Sequence, residues 1–158
     1  MPQLPSPKPM RASRITISQL MQPEHANNHG NVHGGWIMKL VDEAGALACM
    51  RHAQHRVVTI AIDQMVFRQP IHIGDLIILT AEVTYVGHTS LEAEVQVIAE
   101  NPISGKQVHT NTAYLVYVAL DAEENAVSVP ALLAENPEEE KRMQAAEERQ
   151  KHRLAQKA

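Results

Sequence analysis

Asn27 to Gly45 reads NNHGNVHGGWIMKLVDEAG. A polar loop runs into Gly34 and Gly35, and an apolar stretch from Trp36 to about His52 follows. Ile37, Leu40, Val41, Ala44, Leu47 and Ala48 recur close to helical spacing, and the stretch is apolar on nearly every side. The spacing therefore predicts a largely buried helix, with Lys39, Asp42 and Glu43 as its few polar members.

On either side of this helix the pattern is that of strands. Ser13–Met21 (SRITISQLM) reads as a first strand, and Val57–Phe67 (VVTIAIDQMVF) as the next, with room for a short one before Pro70. PIHIGD at 70–75 is a turn. Leu76–Val86, Ser90–Glu100 and Val108–Leu120 are three long strands, joined by Gly87–His88 and by the hairpin turn NPISGK at 101–106. Long strands with short connections imply an antiparallel meander. Strand, helix, then sheet makes an α+β fold in which the sheet wraps around one helix.

The ends differ from this middle. Residues 1–12 are Pro-rich and read as a disordered arm, the folded domain as 13–133, and 134–158 as a charged tail that is helical from Pro137. In the tail, Glu138 with Arg142 and Glu147 with Lys151 stand four apart, acid first. Its only large apolar residues are Met143 and Leu154, so the expectation is a solvated helix that docks weakly or frays.

With 158 residues, 44% of them hydrophobic, one domain with a real core is expected. Aromatics are 3%, so that core is aliphatic. A net charge of −4 gives no footprint for nucleic acid. The lone Cys49 excludes an intramolecular disulfide and reads as a small buried hydrophobe. The nine histidines show no HExxH spacing, so no metal is expected. No segment has the length of a membrane span and the N-terminus has no apolar core, which makes the cytoplasm the expected compartment, with no membrane partner.

Chemistry concentrates at the helix. A helix N-terminus presents unpaired N–H groups, and glycine lets a ligand approach them closely. Gly34 and Gly35 thus suit a carbonyl oxygen that becomes an oxyanion during acyl transfer. Asp42 lies mid-helix among Met38, Gly45, Ala46 and Cys49, where a charge is costly unless paired or used. Lys39 is three residues away, but Glu43 is its better-spaced partner. Asp42 is seven residues past Gly35, roughly 10 Å along a helix, too far for one reacting carbonyl to touch both. Two antiparallel helices related by a two-fold axis would join Asp42 of one chain to the Gly35 amide of another, which predicts a dimer with two equivalent sites.

GNVHGGWIMKLVDEAGALA closely resembles the central-helix motif of the hotdog acyl-CoA thioesterases that include the cytosolic acyl-CoA hydrolases. The resemblance continues through VVTIAIDQMVFRQPIHIGDLI, AEVTYVGHTSLEAEVQVIAE and AYLVYVALD, covering about residues 13–133. It implies a hotdog fold, hydrolysis of fatty acyl-CoA to free acid and CoA, no cofactor, and homodimers assembling into hexamers. It matches Asn31 and Asp42 to the family's catalytic asparagine and aspartate. The roles expected are Asp42 as general base or nucleophile, Asn31 orienting water or thioester, and the Gly35 amide, with Gly34, holding the oxyanion. Thr59 is a further candidate, hydrogen-bonded to the water or to Asp42.

The acidic chain needs a local basic patch for CoA. Arg68, the GHTS turn with His88, Thr89 and Ser90, and the cluster Arg51, His52, His55 and Arg56 are the candidates. His33 reads as a loop or supporting residue; as a base it would fit a hydratase. A dehydratase or hydratase and a non-catalytic acyl-CoA sensor are the competing functions.

Overall fold

The computed structural model describes residues 5–157. The elements are β1 (Lys8–Pro9), β2 (Ile15–Leu20), α1 (Gly34–Ala53), β3 (Arg56–Ile62), β4 (Leu76–Val86), β5 (Ser90–Glu100), β6 (Gln107–Leu120), β7 (Leu132–Leu133) and α2 (Pro137–Gln156). Five strands form one antiparallel sheet in the order β2-β4-β5-β6-β3. α1 packs on one face of it, against β3, β4, β5 and β6. This is the hotdog arrangement that the sequence implied.

Alternation along the strands explains the two faces. Ile77, Leu79, Ala81 and Val83 of β4, Leu91, Ala93, Val95 and Val97 of β5, and Ala113, Leu115, Tyr117 and Ala119 of β6 are buried in one core with Ile37, Leu40, Val41, Ala44 and Ala48 of α1. Cys49 is buried there too, and burial pushes its thiol well above the ordinary range, so it is no nucleophile.

α1 begins at a His33 cap and ends at Gln54, a non-glycine residue at φ 55° whose side chain bonds back to the Arg51 carbonyl at 2.7 Å. One sheet covers only one side of a helix. Met38 and Leu47 are each 40% exposed, so the all-round burial expected of α1 is not reached in the protomer.

Three other expectations need correction. The arm is ordered from Lys8: β1 pairs with β7 in parallel, and Met10 is fully buried. Ser13 ties it down, donating to the Met10 carbonyl and accepting from the Val83 amide. Residues 1–4 lie outside the described residues. Second, β3 stops at Ile62, not Phe67, and residues 63–69 form no short strand before Pro70. The Asn111 side chain takes the Val66 carbonyl at 3.0 Å where a ladder bond would have been.

Third, α2 is not a solvated rod. Arg142, Ala146, Arg149 and Arg153 recur at i, i+4, i+7 and i+11 and face the sheet. Arg142 pairs with Glu82 and with Glu94 at 3.0 Å; Arg149 grips Glu92 at 2.8 and 3.0 Å; Arg153 pairs with Glu92 and with Asp63 at 2.8 Å. Ala146 at the centre is fully buried. The helix is docked by guanidinium–carboxylate forks, which a search for apolar stripes does not see.

Candidate active site

Asp42 is half-buried near the middle of α1. The Thr59 hydroxyl donates to its Oδ1 at 2.9 Å, and the Tyr117 hydroxyl lies 3.0 Å from the same oxygen and 3.0 Å from the Asp42 carbonyl. Thr59 on β3 and Tyr117 on β6 are direct cross-strand partners, just before a bulge in the register. Neighbouring strands thus aim two donors at one carboxylate oxygen. Burial, then Asp42 itself, pushes the Tyr117 phenol above its ordinary value, so it stays a protonated donor. No cation pairs with Asp42 among the described residues; Lys39 bonds Glu43 instead, at 2.6 Å.

Gly45 makes the Tyr117 contact possible. A Cβ there would lie 2.5 Å from the phenolic oxygen. The sequence reading had assigned no role to Tyr117. The paired signal was a glycine three residues after a mid-helix acid, combined with a polar aromatic on an otherwise aliphatic strand face.

At the helix start the Gly35 amide donates to His33 Nδ1 at 3.0 Å. Within the protomer that amide is therefore capped by the imidazole and is not a free donor. Asn31 belongs to the preceding loop. Its amide donates to Asn27 Oδ1 at 3.2 Å, its carbonyl accepts from the Asn27 amide at 2.7 Å, and it bridges to His72. The Asn27 oxygen also takes the His29 amide, which leaves its Nδ2 group as a donor.

The candidates for CoA do not come together in one protomer. His88, Thr89 and Ser90 lie at the β4–β5 turn, where Ser90 pairs with Val118 and the Thr89 carbonyl accepts from the Ala119 amide. Arg56 is near them, bonded to the Asp121 carbonyl. Arg68 instead shares a cleft of about 290 Å³ with His109, Asn111 and Thr112, toward the other end of β6. His52 leaves the expected basic cluster altogether: it is fully buried, Nε2 meets the Pro130 carbonyl, and burial lowers its pKa. Arg51 is engaged with the Arg14 carbonyl.

A cleft of about 790 Å³ lies between β3 and α2, lined by Ile60, Ile62, Val116, His152 and Leu154. Asp42, with its two convergent donors, stands apart from it.

Residues 29–106 match the thioesterase superfamily model. An uncharacterized acyl-CoA thioester hydrolase of Bacillus subtilis is 33% identical over 82% of this chain and 75% of its own. The chain belongs to the thioesterase superfamily. It is also 35% identical, over 80% of its length, to the mouse cytosolic acyl coenzyme A thioester hydrolase, but spans only 35% of that relative. Among solved structures, this thioesterase-family chain superposes on an apo-hexameric acyl-CoA thioesterase with a TM-score of 0.92, 31% identity, and coverage of 97% of this chain and 98% of that one. An acyl-CoA hydrolase from Staphylococcus aureus, solved with butyryl coenzyme A and coenzyme A, gives a TM-score of 0.88 at 32% identity, covering 95% of this chain and 92% of its own. Alanine mutants of that hydrolase have been solved at an aspartate, at an asparagine fifteen residues before it and at a threonine seventeen residues after it.

Proposed function

We propose that this chain hydrolyses fatty acyl-CoA to free acid and CoA, with Asp42 as the acting carboxylate. The observation that carries the reading is the site at Asp42: an acid within an apolar helix, unpaired with any cation among the described residues, with Oδ1 held by Thr59 and Tyr117 and Oδ2 left to act. Oδ2 takes a proton from water as the water attacks the thioester carbonyl, or attacks that carbonyl itself to form a mixed anhydride that water then hydrolyses to the free acid. The C–S bond breaks and the CoA thiolate leaves to be protonated. The reaction needs no metal or redox cofactor.

The relatives named as acyl-CoA hydrolases support the substrate class. The spacing in the Staphylococcus aureus mutants supports two assignments. Thr59 follows Asp42 by seventeen residues, and the residue fifteen before Asp42 is Asn27, not Asn31. Asn27, whose Nδ2 is a donor, takes the carbonyl-orienting role, with Asn31 bracing it through the Oδ1 contact.

The chain works as an oligomer in this reading. The Gly35 amide is about 10 Å along α1 from Asp42, so the oxyanion donor for one carboxylate comes from a second copy. Exposed apolar side chains remain on α1 (Met38, Leu47) and on the edge strand β3 (Val58, Ile60), open to contact with other copies, and the hexameric neighbours support assembly beyond one chain. CoA then draws on basic groups from two protomers, which accounts for Arg68 standing apart from Arg56, His88, Thr89 and Ser90. The cytoplasm is the proposed compartment, in keeping with the cytosolic relatives.

Thiol release from acyl-CoAs, acetyl to palmitoyl, with Asp42→Asn alongside, is the test. Turnover lost in the variant supports the reading. Binding without turnover would favour the sensor, and hydration of enoyl-CoA the hydratase.

A further inference from the structure

We infer that Tyr117 is a positioning residue for Asp42: its hydroxyl, admitted against α1 by Gly45, pins Oδ1 and leaves Oδ2 as the single reacting oxygen. The inference deepens the hydrolase reading and rests on it.

A buried hydroxyl needs an acceptor, and Tyr117 is fully buried. Two acceptors lie at 3.0 Å, the Asp42 carbonyl and Asp42 Oδ1. The carbonyl sits mid-helix, where it already serves the helix ladder. The carboxylate oxygen carries charge and forms the stronger bond. Thr59, paired with Tyr117 across the β3–β6 ladder, supplies the second donor to the same atom. With two donors from two strands, Oδ1 is fixed in direction, and the carboxylate cannot rotate to exchange its oxygens without breaking both bonds.

Gly45 is the complementary half of the device. Any Cβ there would meet the phenolic oxygen at 2.5 Å and two ring carbons at 3.2 Å. That oxygen is not the far end of a flexible side chain, because the ring is packed in the core. A phenylalanine at 117 would fill the same volume and leave Oδ1 with Thr59 alone. The hydroxyl, not the ring, is therefore what the arrangement uses.

The experiment compares wild type, Tyr117→Phe and Asp42→Asn in acyl-CoA hydrolysis. Tyr117→Phe is expected to lower kcat about tenfold with KM within about twofold. Unchanged kcat would overturn the inference, whatever happens to Tm. Loss of turnover in Asp42→Asn tests the underlying hydrolase reading separately. A second measurement needs no turnover: the Tm losses of Tyr117→Phe and Asp42→Ala, singly and combined. Non-additive losses support a bond to the carboxylate. Additive losses would place the hydroxyl on the main-chain carbonyl and overturn the inference.

Discussion

A Cβ on Gly45 and the Tyr117 hydroxyl cannot occupy the same space, since they would stand 2.5 Å apart. Gly45→Ala should therefore push Tyr117 off Asp42. The expected result is a kcat loss similar to that of Tyr117→Phe, and a stability loss of about 1–3 kcal/mol from overpacking. Urea unfolding beside steady-state kinetics checks both. A stable variant with full activity would mean that the ring shifts without loss.

Thr59 is exposed and bonded to Asp42 through its hydroxyl. Thr59→Val keeps the branched shape that suits a strand and removes the donor. It should cut kcat about tenfold while moving stability by no more than about 0.5 kcal/mol. Thr59→Ser should keep most of the activity. Equal rates for the two variants would show that the hydroxyl does nothing for turnover.

The Gly35 amide is capped by His33. Removing the ring in His33→Ala costs a helix cap, about 1 kcal/mol, and frees the amide. A lower Tm with kcat at or above wild type is expected. A tenfold fall in kcat would instead assign the ring a part in the reaction.

Glu92 is 1% exposed and shared by Arg149, Arg153 and the Thr84 hydroxyl. Replacing both arginines with alanine strands a buried charge, and a loss of about 3–5 kcal/mol is expected. Glu92→Gln in that background should recover part of it. Chemical denaturation of the three proteins decides. Equal midpoints for wild type and the double variant would show that α2 contributes little.

His52 is fully buried, and burial, with Lys8 nearby, lowers its pKa below the ordinary 6.5. In the unfolded chain it binds a proton more readily than in the fold. Above about pH 6.5 both states are neutral and the group has no effect. As pH falls below that value the unfolded state gains protons first, so stability declines. A Tm-against-pH curve should show this decline in wild type and a shallower one in His52→Gln. Parallel curves would exclude His52 as its source.

The fold was readable because its signals are periodic. The α1 spacing and the boundaries of β4 and β5 follow from alternation that burial imposes on a chain. The tail was misread because Arg142, Arg149 and Arg153 resemble a solvated face until the carboxylates of Glu94, Glu92 and Asp63 beneath them are seen, and those lie more than forty residues away in sequence. Asp42 was legible as a costly charge in an apolar helix. Tyr117, seventy-five residues from it, was not, since only strand pairing brings it to the helix. Arg68 and Arg56 looked alike as basic residues, and only the sheet shows them far apart.

β3 is an edge strand with Val58 41%, Ile60 51% and Ile62 39% exposed. Such an edge is a template for pairing with any other extended chain. A lone protomer is thus the species most exposed to aggregation. In the proposed oligomer a second copy would cover this edge, and the fraction of chains with an open edge would rise on dilution.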